Sequence, residues 1–286
     1  MQLIAALFAL GSAICTGLSS ALQQRAAKRE RHRRAPDPRL LITLLHRPLW
    51  LFGWMPDLAG TALQALALRF GPLALVQPLL ASGLFFAIPI ESAMSRTRPH
   101  SRDLIAAALG LAGLATFLAT AQPGAGVTDP SAGAWLSVGA VVGAVITICL
   151  IVSTRTTGAA RGGVLGVATG LFYAMLASLL KPITTMLSEK PISVLTSWHV
   201  YALAPVAIGA LALTANAFQS GRLAAPLTAL TLVDPAASVL IGVLAFEERL
   251  ALGWVRIIIE VAAVAVMVTG IWLASTRRHL VAAAGH

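Results

Sequence analysis

The stretch "LTLVDPAASVLIGVLAF", residues 230–246, is apolar enough to lie in a membrane, yet it carries an aspartate directly before a proline. Asp234 lies roughly twelve residues from either end of the apolar segment 222–246. At 1.5 Å per residue that is roughly 18 Å from each end, close to the centre of a bilayer. A carboxylate there costs about 2.5–3.5 kcal/mol unless it is paired, hydrated or protonated. At the helical period, Thr228, Thr231, Asp234, Ser238 and Gly242 share one narrow face, and Leu230, Val233, Ala237, Leu240 and Leu244 the opposite one. The aspartate is therefore expected to face a protein interior and the leucines lipid. Pro235 has no N–H to donate to the carbonyl of Thr231, one turn earlier. A carboxylate beside that carbonyl, among hydroxyls, suits a proton, a small cation or a polar group of a solute. The plainer reading is an aspartate paired for packing and a proline that only kinks the helix.

Composition extends this reading to the whole chain. Of 286 residues, 57% are hydrophobic and 11% charged, with a mean hydropathy of +0.82. Soluble domains carry about 25% charged residues. A spanning helix needs roughly 20 mostly apolar residues. Nine such stretches are present, about 2–22, 49–69, 72–94, 103–121, 133–153, 162–187, 197–219, 222–246 and 252–275. Lipid requires every backbone group to be paired within the segment, so the expected fold class is all-α, an integral membrane protein of nine helices.

The net charge of +10 raises the question of nucleic acid. Much of it sits in "RAAKRERHRRAPDPR" (25–39), between the first two stretches. There it reads as the basic loop of the positive-inside rule. Placing this loop inside also places inside Arg96, Arg98, Arg102, Arg155, Arg161, Arg222, Arg277 and Arg278. Arg69, Lys190 and Arg249 then fall outside, and Lys181 and Arg256 within helices. The orientation expected is N-terminus out and C-terminus in. Residues 1–22 lack a basic leader and carry their charges after the apolar run, which suits a retained helix rather than a cleaved signal peptide. The basic residues are nearly all Arg, and Ala and Gly abound, as in GC-rich bacterial genes, so the membrane expected is a bacterial plasma membrane. Cys15 and Cys149 fall in separate stretches and give neither a disulfide framework nor a metal signature.

Faint internal similarity points to two copies. "GPLALVQPL" (71–79) parallels "GRLAAPL" (221–227), and "GSAICTGLSSAL" (11–22) parallels "GLFYAMLASLL" (170–180). The organisation expected is residues 1–121 as a first repeat of four helices, 122–161 as a linking fifth helix with its loops, and 162–286 as a second repeat of four with a short tail. An odd number of spans separates equivalent helices, so the copies insert with opposite orientation. Inverted repeats mark secondary transporters, with the substrate near the midplane at the repeat interface.

The run 230–250, with its apolar stretch, proline, small residues, Gly and then Glu before the last helix, resembles the end of a drug/metabolite transporter (EamA-like) repeat. "ALRFGPLALVQPL" (67–79) and the four-plus-one-plus-four layout are similar to the nine-helix NIPA-type branch. The resemblance implies a membrane transporter, and for that branch magnesium as the substrate. The branch has an acidic residue three positions before an Asn in the second helix, where this chain has Thr61 and Gln64. That departure favours a small metabolite or drug-like solute over magnesium.

Further candidates follow from spacing. In "WMPDLAGTALQAL" (54–66), Asp57, Thr61 and Gln64 stand at i, i+4 and i+7 and share a face. Asp57 follows Pro56 and serves either the site or a pairing with Arg47 or its neighbours. Gln77 precedes Pro78 in the third stretch. Tyr173 and Lys181, eight apart, share a face. Lys181 is a counter-ion for Asp234 or an anionic substrate, or it snorkels to the outer surface, the reading favoured. Thr214 and Asn216 line the cavity or bond between helices. Glu260 is expected to pair with Arg256 one turn earlier rather than to serve as a coupling carboxylate, Glu247 and Glu248 to be solvated in an outer loop, and His199 beside Trp198 to sit in an interfacial aromatic belt.

No H-E-x-x-H, G-x-S-x-G or P-loop is present, so this chain alone is not expected to pump with ATP, and no enzyme activity, cofactor or catalytic residue is assigned. A competing class is a membrane enzyme that pairs Asp57 with Asp234 on lipid-linked substrates, and another is a scaffold without transport. An enzyme alters its substrate, a transporter moves it unaltered, and a scaffold does neither. The partners expected are the lipid bilayer and a small-molecule or ion substrate, with no nucleic acid; a homodimer is left open.

The orientation predicts that residues 24–47 face the cytoplasm. Asp37→Cys in a background lacking Cys15 and Cys149 should resist a membrane-impermeant thiol reagent in intact cells and react after permeabilisation. Labelling of intact cells at that position reverses the orientation.

Overall fold

A computed structural model describes residues 2–29, 48–95, 101–219, 224–251 and 253–283. Arg96, Arg98, Arg222 and residues 30–47 of the basic loop lie outside this set. The regular structure among the described residues is helical, without a strand. The helices are α1 (Gln2–Arg29), α2 (Pro48–Phe70), α3 (Leu73–Ala81), α4 (Gly83–Ser95), α5 (Ser101–Ala121), α6 (Ala132–Thr154), α7 (Gly158–Glu189), α8 (Trp198–Gln219), α9 (Ala224–Leu244) and α10 (Trp254–Ala283), with a 3₁₀ turn over Pro191–Thr196. By length and composition, three are apolar enough to cross a membrane: α1 over Gln2–Ser19, α6, and α7 over Ala160–Glu189. Shorter apolar runs lie in α5, α8 and α9.

Each of the nine stretches folds as helix, but the third as two pieces. α3 ends at Ser82, whose hydroxyl donates to the carbonyl of Leu79 at 2.5 Å, and α4 resumes at Gly83. Pro78 deprives the last turn of α3 of one backbone donor. A Cβ on Gly83 would stand 2.9 Å from both the Ala13 carbonyl and the Thr16 hydroxyl, so glycine lets the resumed helix press on α1.

The packing scheme is regular. α1 packs on α2 and α4, and α7 packs on α8 and α9. α3 meets α9, and α5 lies along α10; α6 rests on α7. Glycines allow a close approach between α7 and α9. A Cβ on Gly170 would stand 2.8 Å from the Val233 Cβ and 3.0 Å from the Asp234 nitrogen, and one on Gly166 would stand 2.5 Å from the Pro226 carbonyl.

The hydrophobic core sits at one end of the bundle. It is built from Ala5 and Ala9 of α1, Leu68 of α2, Leu73 and Val76 of α3, Trp135 of α6, Leu179 of α7, Ile241 of α9, and Phe246. Two loops zip together over it. Gly124 N donates to the Arg249 carbonyl at 2.7 Å, Val127 N to the Phe246 carbonyl at 2.7 Å, and Ala251 N to the Ala121 carbonyl at 2.8 Å. His199 is buried in this end rather than spread along an interface. Its Nδ1 meets the Ser197 hydroxyl at 2.8 Å and its Nε2 the Asp129 carboxylate at 3.1 Å. Its neighbour Trp198 is the exposed member of the pair.

Gly170→Val is expected to cost about 1–3 kcal/mol of overpacking, read as a lower thermal unfolding midpoint in detergent. Gly139→Val, with open space around its Cβ, should leave the midpoint unchanged.

Candidate functional site

A cavity of about 680 Å³ lies between α1–α4 on one side and α7–α9 on the other. Its polar lining is Thr16 and Thr61, Gln64, Gln77, Tyr173, Thr231 and Asp234; its walls include Leu80, Leu176, Leu180, Leu203 and Leu230. A volume of this size suits a small organic ligand. Asp234 is the one charged group among the described lining residues. The close approach allowed by Gly170 fixes its backbone against α7, and the Ser238 hydroxyl lies 3.3 Å from its Oδ1.

The structure thus gathers Thr61, Gln64, Gln77, Tyr173, Thr231 and Asp234 around one space, although they are scattered over more than 170 positions of sequence. Gln77 is 3% exposed, and its Nε2 reaches no acceptor among the described residues. Ser238 is fully buried behind Asp234 and does not line the cavity.

Other expectations are corrected. Asp57 is half-buried one turn before Thr61 and lies outside the cavity lining, where its carbonyl accepts from the Thr61 hydroxyl at 3.0 Å. Asn216 is exposed and turns its amide back to the Ala212 carbonyl at 2.7 Å, and Thr214 bonds the Ala210 carbonyl at 2.7 Å, so both serve their own helix. Arg256 reaches the Thr120 carbonyl at 3.5 Å rather than Glu260, whose Oε1 is buried with no hydrogen-bond partner among the described residues. The apolar face of α9 divides. Leu240 and Leu244 are exposed, but Leu230 lines the cavity, Val233 packs on Gly170 and Ala237 is buried, because α9 touches α3, α7 and α10 at once.

The largest correction concerns Lys181 and Glu248. Lys181 neither snorkels nor reaches Asp234. Its Nζ lies 2.5 Å from Glu248 Oε1, with side chains 8% and 0% exposed, and 4.6 Å above the centre of the Phe246 ring. Glu248 is not solvated; its carboxylate accepts from Leu73 N at 2.6 Å and from Ala74 N at 2.9 Å, the first amides of α3. Those amides have no partner inside their own helix, and a carboxylate at a helix N-terminus also meets its positive end. Glu247, in contrast, is exposed and adopts φ 54°, the turn that sends the next side chain inward. A lysine inside an apolar helix demands a partner, and that signal pointed to an acid; only the fold shows which.

No group of three His, Cys, Asp or Glu among the described residues could hold a metal ion. No protein-family model matches the chain, and no solved structure matches it. The chain is 25% identical over 277 residues, 96% of each sequence, to an uncharacterized protein of Corynebacterium glutamicum.

The cavity makes Ala207 and Ala210 of α8 unequal. Ala207 lines it, whereas Ala210 is 1% exposed and packed. Ala207→Trp should leave stability within about 1 kcal/mol, whereas Ala210→Trp should cost about 1–3 kcal/mol or more by overpacking. Thermal unfolding of the two variants in detergent checks this.

Proposed function

We propose that this chain is a nine-span secondary transporter of the drug/metabolite transporter type, seated in a bacterial plasma membrane, and that the cavity between its halves carries a small metabolite or drug-like solute. The observation that carries the reading is the gathering of Asp234, Gln64, Gln77 and Tyr173 from both halves into one leucine-walled space. Such a site binds by apolar contact and orients its ligand by a few polar groups.

The helix packing supports two inverted repeats. In each half the first helix packs on the second and on the third, α1 on α2 and α4, α7 on α8 and α9. The third helices meet across the halves as α3 and α9, and the fourth as α5 and α10. Repeats of opposite orientation place the substrate near the midplane and alternate its access by rocking of one half against the other. Asp234, near the middle of α9 and on the cavity wall, is the group placed to exchange a proton or cation as each side opens.

Magnesium is the less favoured cargo. The positions where the NIPA-type pattern carries an acid and an Asn are Thr61 and Gln64, and both line the cavity. A neutral pair there suits the hydroxyls and amides of an organic solute better than a doubly charged ion.

The test is a screen of uptake and efflux in proteoliposomes with metabolites, cationic drugs and divalent ions, with and without a pH gradient. Solute should move chemically unaltered. Asp234→Asn keeps the size and hydrogen bonding of the side chain but cannot ionise, so it should drop the steady-state accumulation ratio to about 1 while the variant still folds. Accumulation at the wild-type level in Asp234→Asn removes this residue from coupling. Magnesium-dependent flux lost in Asp57→Asn would replace the solute with the ion.

A further inference from the structure

Glu248 joins the two halves of the chain at the packed end of the bundle. The carboxylate belongs to the second half, as does Lys181, whereas Leu73 N and Ala74 N belong to the first. Its Oε1 serves both Lys181 and Leu73, and its Oε2 serves Ala74. We propose that this carboxylate is a latch that seals the cavity at the end where α9 runs into the 246–251 loop, and that it lets go of α3 when the cavity opens on that side.

Three features make it a latch rather than a plain pin. First, its partners stand next to the cavity lining along their helices. Lys181 follows Leu180 on α7 and Leu73 precedes Gln77 on α3, and both Leu180 and Gln77 line the cavity. Second, the charge is balanced in both positions. When α3 moves away, Glu248 keeps Lys181 as its partner within its own half, and the amides of Leu73 and Ala74 meet the water that enters. Neither state strands a buried charge, the event that makes breaking an ordinary buried pair costly. Third, the contact has no slack. A Cβ on Gly242 would collide with Glu248 Oε2, and Glu247 holds its left-handed φ of 54° to aim Glu248 inward. A non-glycine residue is uncommon in that region and persists where its surroundings hold it.

The latch rests on the transport reading, but its test needs no substrate. Leu176 lines the cavity. Leu176→Cys in a chain lacking Cys15 and Cys149 is labelled with an impermeant thiol reagent in sealed vesicles of each orientation, so that each side of the membrane is read separately. Glu248→Gln removes the charge that holds the α3 amides. Gly242→Ala keeps every charge and displaces the carboxylate by its methyl group. Both should raise the labelling rate from the Glu248 side at least tenfold, with no rise from the opposite side, because a latch shifts the population between two closed ends. Glu247→Gln should change neither rate. Size exclusion in detergent selects folded variants, and the Gly242→Ala arm stands by itself if Glu248→Gln fails to fold. Unchanged labelling from the Glu248 side in Gly242→Ala would overturn the latch, as would an equal rise from both sides, which marks general loosening. A one-sided rise in a chain that moves no solute in proteoliposomes supports the latch and counts against the cargo alone.

Discussion

One carboxylate constrains the packed end of this molecule. Glu248 is excluded from solvent, and a bare charge there is untenable, so the fold must supply compensation from every side. It does so with the ammonium of Lys181, two amides of α3, and the ring of Phe246 beneath the lysine. These groups come from α7, from the start of α3 and from the loop after α9. Bringing them together sets the distances between three helices. The loop carrying Glu248 is then fixed by backbone bonds to residues 121–127, and Phe246 packs edge-on to Trp135 at 5.9 Å. The core therefore forms at this end.

The cavity adjoins that core, and Ala177 belongs to both. Along α7 the buried Lys181 gives way to Leu180, Leu176 and Tyr173 on the cavity wall; along α3 the capped Leu73 gives way to Gln77 and Leu80. Gly170 brings α7 against the backbone of α9 at Asp234, so the acid is held at a defined place on the wall. Two carboxylates thus have different settings within one bundle. Glu248 is fully paired and closes an end. Asp234 meets a hydroxyl at 3.3 Å and borders the open space.

Much of this was legible in the chain because membrane-grade helices are written in composition. All nine apolar stretches are helices, and the periodicity around Asp234 correctly put Thr231 and Asp234 on one wall. The i, i+4, i+7 spacing in α2 worked for Thr61 and Gln64 and stopped short at Asp57, because a shared helix face says nothing of where along it a cavity ends. The opposite face of α9 was misread for a related reason. Periodicity separates polar from apolar, but Leu230 faces the cavity as a wall and not as a lipid contact. The break at Ser82 left little trace, since Ser and Gly side by side are ordinary in such helices. Glu248 was hidden most deeply. Its partners lie 67 and about 175 positions away, and a doubled glutamate after an apolar run reads as solvated until the φ of Glu247 turns one of the two inward.

The energetic coupling between Lys181 and Glu248 is the quantity on which the packed end depends, and a double-mutant cycle measures it. Stability is determined in detergent for the parent chain, Lys181→Met, Glu248→Leu and the double variant. Either single change strands a buried group, whereas the double change removes both charges together. A coupling of about 2 kcal/mol or more is expected, with the double variant more stable than at least one of the singles. Additive losses, with a coupling below about 0.5 kcal/mol, would contradict a shared buried ion pair at this position.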